Sequence, residues 1–261
     1  MPRLNLIIRS IFHKSKIARS LFSHDEQLIQ KELEWYSGLI GQHFEYFNEL
    51  STQQKQRFLF RVHSFKNKKK FHYIGLEPSP QIPVLISAAA VQITFGLRKY
   101  KMSFFRDIYI MADEYTYGFS QQSWIGHVNR KGIFISWKHF LQGYSVNSDR
   151  HNVGLHEMAH ALVYANFLGG LNAEQHFVDH FEKYQARTSG LMREEKWKLC
   201  KLFSEQGINN FQECWAECAE LFFENPSELS QEYPELYNSI KIILNQDPIN
   251  KIKILQPLIA A

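Results

Sequence analysis

Two histidines and a glutamate in the segment Asn152-Val153-Gly154-Leu155-His156-Glu157-Met158-Ala159-His160-Ala161-Leu162-Val163 could do chemistry together. Four helical residues rotate the chain by about 400°, so His156 and His160 project from one face, a turn apart. Two imidazole nitrogens placed that way can share one Zn²⁺ at about 2.0–2.1 Å. Glu157 lies about 100° around the helix from His156. It borders such an ion without ligating it, where it can hold a water molecule and take its proton. The chemistry implied is zinc-assisted hydrolysis with Glu157 as general base. Apolar neighbours at helical spacing, the small Ala159 between the imidazoles, and Ser148 and Asp149 as candidate N-caps give the motif a helix to sit on. Random placement of 12 histidines in 261 residues rarely produces this pattern.

A catalytic zinc takes three protein ligands and keeps one position open. The best supplier of the third is the later segment from Asn210 to Phe223, where Glu213, Glu217 and Glu220 are spaced by four and three. That spacing puts all three near one helix face, where like charges repel unless they meet water or a cation. Glu213 as ligand, with Glu217 hydrogen-bonded to a ligand imidazole, would relieve the repulsion. Asn210-x-x-Glu213 is equally a capping box, and a glutamate in a first helical turn is favoured by the helix dipole in any case. Spacing alone leaves the three glutamates as rivals. His176 and His180 are also a turn apart, but without a companion glutamate they read as an exposed helix face. Cys214 and Cys218 read as small packed residues. No phosphate-binding loop or dinucleotide fingerprint occurs.

The elements that must carry these residues follow from periodicity and punctuation. Residues 1–24 read as a basic leader, and residues 25–65 as helical. Ser51 and Gln54 match a capping box ahead of Phe58, Leu59, Val62 and Phe65 at helical spacing. Pro78, Pro80 and Pro83 punctuate the chain before an apolar run to Leu97. That run falls short of the roughly 20 residues of a membrane span and reads as a buried helix or strand–helix segment. Ile108–Met111 and Gly132–Trp137 read as buried strands. The second is the expected edge of a cleft, where a peptide could add as an extended strand. From about Asn147 the pattern is helical with loops. The expected fold is a helix-rich α+β, zincin-like domain with a small sheet. It comprises the leader 1–24 and one catalytic domain 25–261, with an N-terminal helical part 25–80 and a core at about 83–248.

Composition bounds the rest. With 44% hydrophobic and 21% charged residues the chain is globular rather than disordered. The net charge of +4 is concentrated in Arg3–Arg19 and Lys66–Lys70, which read as solvated surface and not as a nucleic-acid platform. Three cysteines cannot all pair, and the N-terminal residues lack the apolar centre of a secretion signal. Reduced thiols and a cytoplasmic location are expected.

Further pieces occur in a fixed order around the histidine motif: Ser123-Trp124, Gly132 to Trp137, Asn152-Val153, Glu213-Cys214-Trp215-Ala216, Glu220 to Phe223 with Pro226, Tyr233 to Tyr237, and Gln246-Asp247-Pro248. Together they resemble the Mlc titration factor A family of zinc-dependent peptidases, which share a catalytic core with anthrax lethal factor. The resemblance implies a gluzincin fold and one catalytic Zn²⁺ ligated by His156, His160 and Glu213, with Glu157 as the catalytic glutamate. Glu217 matches the second glutamate of the Glu-x-x-Ala-Glu run of lethal factor. The implied activity is hydrolysis of a peptide or protein substrate, with aminopeptidase action on small substrates. The implied alternative is a regulatory protein that binds a transcriptional repressor and has weak or no peptidase activity. Two positions depart from the family pattern: Val163 stands where an Asp is common, and Gln206 where a catalytic Tyr is common, seven residues before the third ligand. Losing one oxyanion donor costs about 10²–10³ in rate, unless Tyr184 or another tyrosine replaces it.

Overall fold

Periodicity carries the N-terminal region into three helices, α1 (Lys16–His43), α2 (Glu45–Glu49) and α3 (Thr52–Lys66), followed by β1 (Lys70–Ile74) and α4 (Gln81–Thr94). The computed structural model describes residues 16–118, 121–145, 151–194, 197 and 201–250, with side chains from residue 27 onward. Most of the basic leader, and with it Ser148 and Asp149, lies outside the described residues. The capping box at the start of α3 is closed in both directions, with Gln54 Oε1 accepting from the Ser51 N–H at 2.9 Å. Phe58, Val62 and Phe65 of α3 are buried, and α1 and α3 both pack on α4. The apolar run expected as a buried segment is α4, whose residues are buried almost without exception.

The basic run before β1 is not simply solvated. Lys69 Nζ donates to the carbonyls of Lys101, Met102 and Phe105 at 2.8, 2.9 and 2.5 Å, clasping the loop that leads to the next strand. Lys66 pairs with Glu32 at 2.8 Å and lies over the Tyr36 ring. Long cationic side chains can bury their stems while their heads find oxygen partners, which a charge count along the sequence does not reveal.

The middle of the chain forms β2 (Asp107–Met111), β3 (Tyr115–Thr116), β4 (Ser123–Trp124), β5 (Gly126–Asn129) and β6 (Gly132–Ser136). Four strands make one sheet in the order β1-β2-β6-β5, with β1, β2 and β6 parallel and β5 antiparallel to β6. Strands β3 and β4 pair as a separate two-stranded ribbon. The segment Gly132–Trp137, expected as the cleft edge, is instead an interior strand with Trp137 already in the next helix. Every residue of β6 is buried, as an uninterrupted apolar run covered on both faces should be. The turn after Asn129 lays β5 along its outer side, so β5 is the edge.

Helix α5 (Trp137–Ser145) starts ahead of the helical stretch expected from about Asn147, and after it come, as the pattern predicts, α6 (Val153–Phe167), a 3₁₀ turn at Gly170–Asn172, α7 (Gln175–Leu191), α8 (Glu205–Asn209), α9 (Phe211–Glu224), α10 (Pro226–Glu232) and α11 (Pro234–Leu244). Helix α6 packs on α4, α9, β5 and β6, which places it between the helical layer and the sheet. Past α11 the chain turns at Asn245 in the left-handed region, with φ of 52°. Its side chain donates to the Gly96 carbonyl, while Gln246 donates to those of Gln92 and Ile93 and accepts from Tyr46 Oη at 2.5 Å. These bonds latch the end of α11 to the end of α4. The whole is helix-rich α+β, and no described helix is long and apolar enough to cross a membrane.

Candidate metal centre

Asn152 starts the helix that carries the histidine motif: its Oδ1 accepts from the Leu155 N–H at 3.0 Å, meeting one of the free amides of the first turn. From there the helical repeat brings His156 and His160 onto one face, and their Nε2 atoms lie 3.1 Å apart. Helix α9 delivers Glu213 to the same point. Its Oε2 is 3.3 Å from His156 Nε2 and its Oε1 is 3.5 Å from His160 Nε2. Asn210 caps α9 by accepting from the Gln212 N–H at 2.8 Å, while the Glu213 carboxylate turns to the imidazoles. One donor atom from each of His156, His160 and Glu213 lies within 4.8 Å of the others.

The carboxylate behind His156 belongs to Glu220. It accepts from His156 Nδ1 at 2.5 Å and, through its other oxygen, from the Asn152 N–H at 2.8 Å. An imidazole that is neutral and donates through Nδ1 keeps a lone pair on Nε2, and Nε2 is the atom that faces His160 and Glu213. Glu217, expected beside an imidazole, is not brought there. Its carboxylate accepts from the Ser204 N–H at 2.8 Å and from the Ser204 hydroxyl, at the start of α8. Gly207 of α8 leaves room for it, since a Cβ there would overlap the carboxylate.

Glu157 is 4% exposed, and its Oε2 has no hydrogen-bond partner among the described residues. It lies under the first residue of β5: a Cβ at Gly126 would overlap the carboxyl group, so only glycine lets the edge strand come this close. Burial pushes the Glu157 pKa up to about 8, with His156 opposing the shift and Glu213 and Glu220 adding to it. Burial opposes charge on His156, but Glu220, Glu213 and Glu157 outweigh it and raise its pKa well above the usual value. His160 is lowered by burial, and Glu213 is lowered because both imidazoles bond to it.

No tyrosine stands at position 206: Gln206 is an exposed residue of α8. Tyr184 does not face the centre either. It is buried against Phe181, Phe211 and Trp215 in the core. The tyrosine that feels the charge of Glu157 is Tyr115 of the β3–β4 ribbon, whose hydroxyl meets His127 Nδ1 at 2.8 Å. Neither residue stands out in the sequence, because Tyr115 comes from the ribbon and His127 from β5, and only folding brings them together. Asp113, Glu114 and His139 make a second cluster of possible ligands, but its acids are exposed and Lys138 already meets Asp113 at 2.7 Å. His176, expected on an exposed face, is half-buried and its Nε2 meets the Ile242 carbonyl at 2.7 Å.

The glucose-regulated metallo-peptidase M90 family model matches residues 23–243, a span holding both helices of this centre. The chain belongs to that metallopeptidase family. No curated protein matches the chain. Membership of the M90 family brings with it a metal cofactor and peptide substrates. Among the described residues, His156, His160 and Glu213 form the more enclosed of the two groups that could hold the ion.

Proposed function

We propose that this M90 member is a zinc-dependent peptidase of gluzincin type, with His156, His160 and Glu213 as metal ligands and Glu157 as general base. The observation that carries the reading is the meeting of two imidazole Nε2 atoms and a carboxylate at one point. Two nitrogen lone pairs and an anionic oxygen suit a divalent cation, and His₂Glu is a donor set that zinc accepts. Zinc held there would act as a Lewis acid and bring the pKa of water from about 15.7 to about 7.

The chain's own groups do the remaining work. Glu220 holds the His156 ring in the tautomer and tilt that a ligand needs. Glu157 takes a proton from water through its unpaired oxygen and returns it to the leaving nitrogen. Among the described residues β5 is the edge strand of the sheet and lies beside Glu157, where an extended peptide can pair its backbone. The catalytic unit runs from the N-terminal helices onward as one domain, because α1 and α3 pack on α4 and α4 packs on α6. Aminopeptidase action is the finer reading. Repressor binding rests on the resemblance alone, and the geometry favours hydrolysis.

Glu157→Gln tests the mechanism. The variant should bind zinc as the parent does while its peptide hydrolysis falls by about 10²–10⁴, the usual contribution of a positioned proton carrier. Full turnover in zinc-loaded Glu157→Gln protein would remove Glu157 from the base role.

A further inference from the structure

Between α6, α7 and the start of α9 lies a cavity of about 140 Å³. Its walls are Val163, Tyr164, Phe167, Phe181, Phe211 and Trp215. His160, Gln185 and Gln212 complete the lining, so among the described residues no carboxylate, ammonium or guanidinium faces it. An apolar cavity of about 150 Å³ is large enough to take a benzene ring.

The inner wall is rigid. Trp215 Nε1 donates to the Ala159 carbonyl at 3.0 Å, and the Phe181 ring meets Trp215 edge-on at 5.0 Å between centroids. The outer wall reaches solvent, since Phe167 is 42% exposed and Val163 and Tyr164 are half-buried. His160 belongs both to this lining and to the metal centre, so whatever fills the cavity is held next to the group that reacts.

We propose that the cavity is a specificity pocket that receives one large apolar side chain, of the phenylalanine or leucine class, from a residue next to the bond that is cut. The proposal rests on the peptidase reading and names the substrate class for that centre. Its volume admits one ring or one branched alkyl group. Its walls reject a charged side chain, because an ion buried there would find no partner. Val163 keeps the outer wall uncharged, and a larger residue there would grow into the space.

The test gives the full-length, zinc-loaded protein a randomised peptide library and reads the cleavage sites by mass spectrometry. Phe and Leu should exceed Asp and Glu at one flanking position by at least about tenfold, the scale on which pocket contacts discriminate. Val163→Phe should fill the pocket and shift preference towards Ala and Gly at unchanged zinc content, and the milder Val163→Leu should shift it partway. Cleavage without that enrichment, or enrichment that survives both variants, overturns the pocket and leaves the peptidase reading intact. If no peptide is cleaved, the peptidase reading falls and binding decides the pocket. Acetyl-Gly-Phe-Gly-amide binding at least about tenfold tighter than its Asp counterpart, with the advantage lost in Val163→Phe, sustains it. Equal binding overturns it.

Discussion

Two groups of polar side chains in the interior, at Asn245–Asp247 and around His156, are finished differently. At Asn245–Asp247 the groups meet partners of the opposite kind. Gln246 donates to two carbonyls and accepts from Tyr46, and Asp247 accepts from Tyr237 at 2.7 Å and from Lys241 at 2.5 Å. Around His156, two imidazole nitrogens face each other beside a carboxylate, and Glu157 keeps a buried oxygen unpaired. Burying polar groups is costly in either place. The closed cluster offsets the cost with hydrogen bonds and holds the fold, whereas the other keeps, among the described residues, an unpaired buried carboxylate oxygen beside three donor atoms gathered at one point. Between these two groups it is the completeness of pairing, more than burial or charge, that differs.

The sharpest way to break that contrast is to remove an imidazole. His156→Ala and His160→Ala should each lose the near-stoichiometric zinc of the parent, measured by plasma mass spectrometry on purified protein, while Gln246→Ala keeps it. Zinc retained in both histidine variants would erase the distinction. Next in size, Glu220→Gln should weaken zinc binding about 10–100-fold in a chelator competition. Glu217→Gln should leave the affinity unchanged, because its partner is Ser204. Equal effects of the two would mean that Glu220 does not orient the imidazole.

From the closed side, Gln246→Ala removes the side chain that accepts from the Tyr46 hydroxyl and donates to two carbonyls. Urea denaturation should report a loss of about 1–3 kcal/mol with zinc stoichiometry intact. The smallest effect is one of pH. Burial works against the Asp247 carboxylate, but Lys241, Asn250 and Tyr237 prevail and hold its pKa below the usual 3.8. The folded state therefore binds this proton less readily than the unfolded one. Its contribution is complete above 3.8 and disappears as pH falls through the lower folded value. The stability advantage of the parent over Asp247→Asn should narrow in that window, and an advantage independent of pH would show that the charge is not what the latch uses.

Much of this was readable from the chain because helical geometry is local. The meeting of His156 and His160 and the capping box at Ser51 each need only neighbouring residues. Strand pairing is not local: nothing within Gly132–Ser136 says that the preceding strand, Gly126–Asn129, covers its outer side, so the segment reads as an edge although it lies in the interior of the sheet. The glutamates of α9 show the same limit more finely. Relative to Glu213, Glu217 stands about 40° to one side of the helix and Glu220 about 20° to the other. Which side faces α6 depends on how the two helices cross, and that is a property of packing. Strand β1 was hidden for a related reason, since its first residue, Lys70, ends a run of charges.

One oxygen of Glu220 steadies a donor ring and the other meets the amide just ahead of α6. A single acid therefore decides both where that helix begins and how its first imidazole is aimed. A shorter acid could not reach both without drawing the helices together, and any drift in their separation would be felt at once by the three donor atoms. The gap between α9 and α6 thus works as a ruler, and the glutamate is the length marked on it.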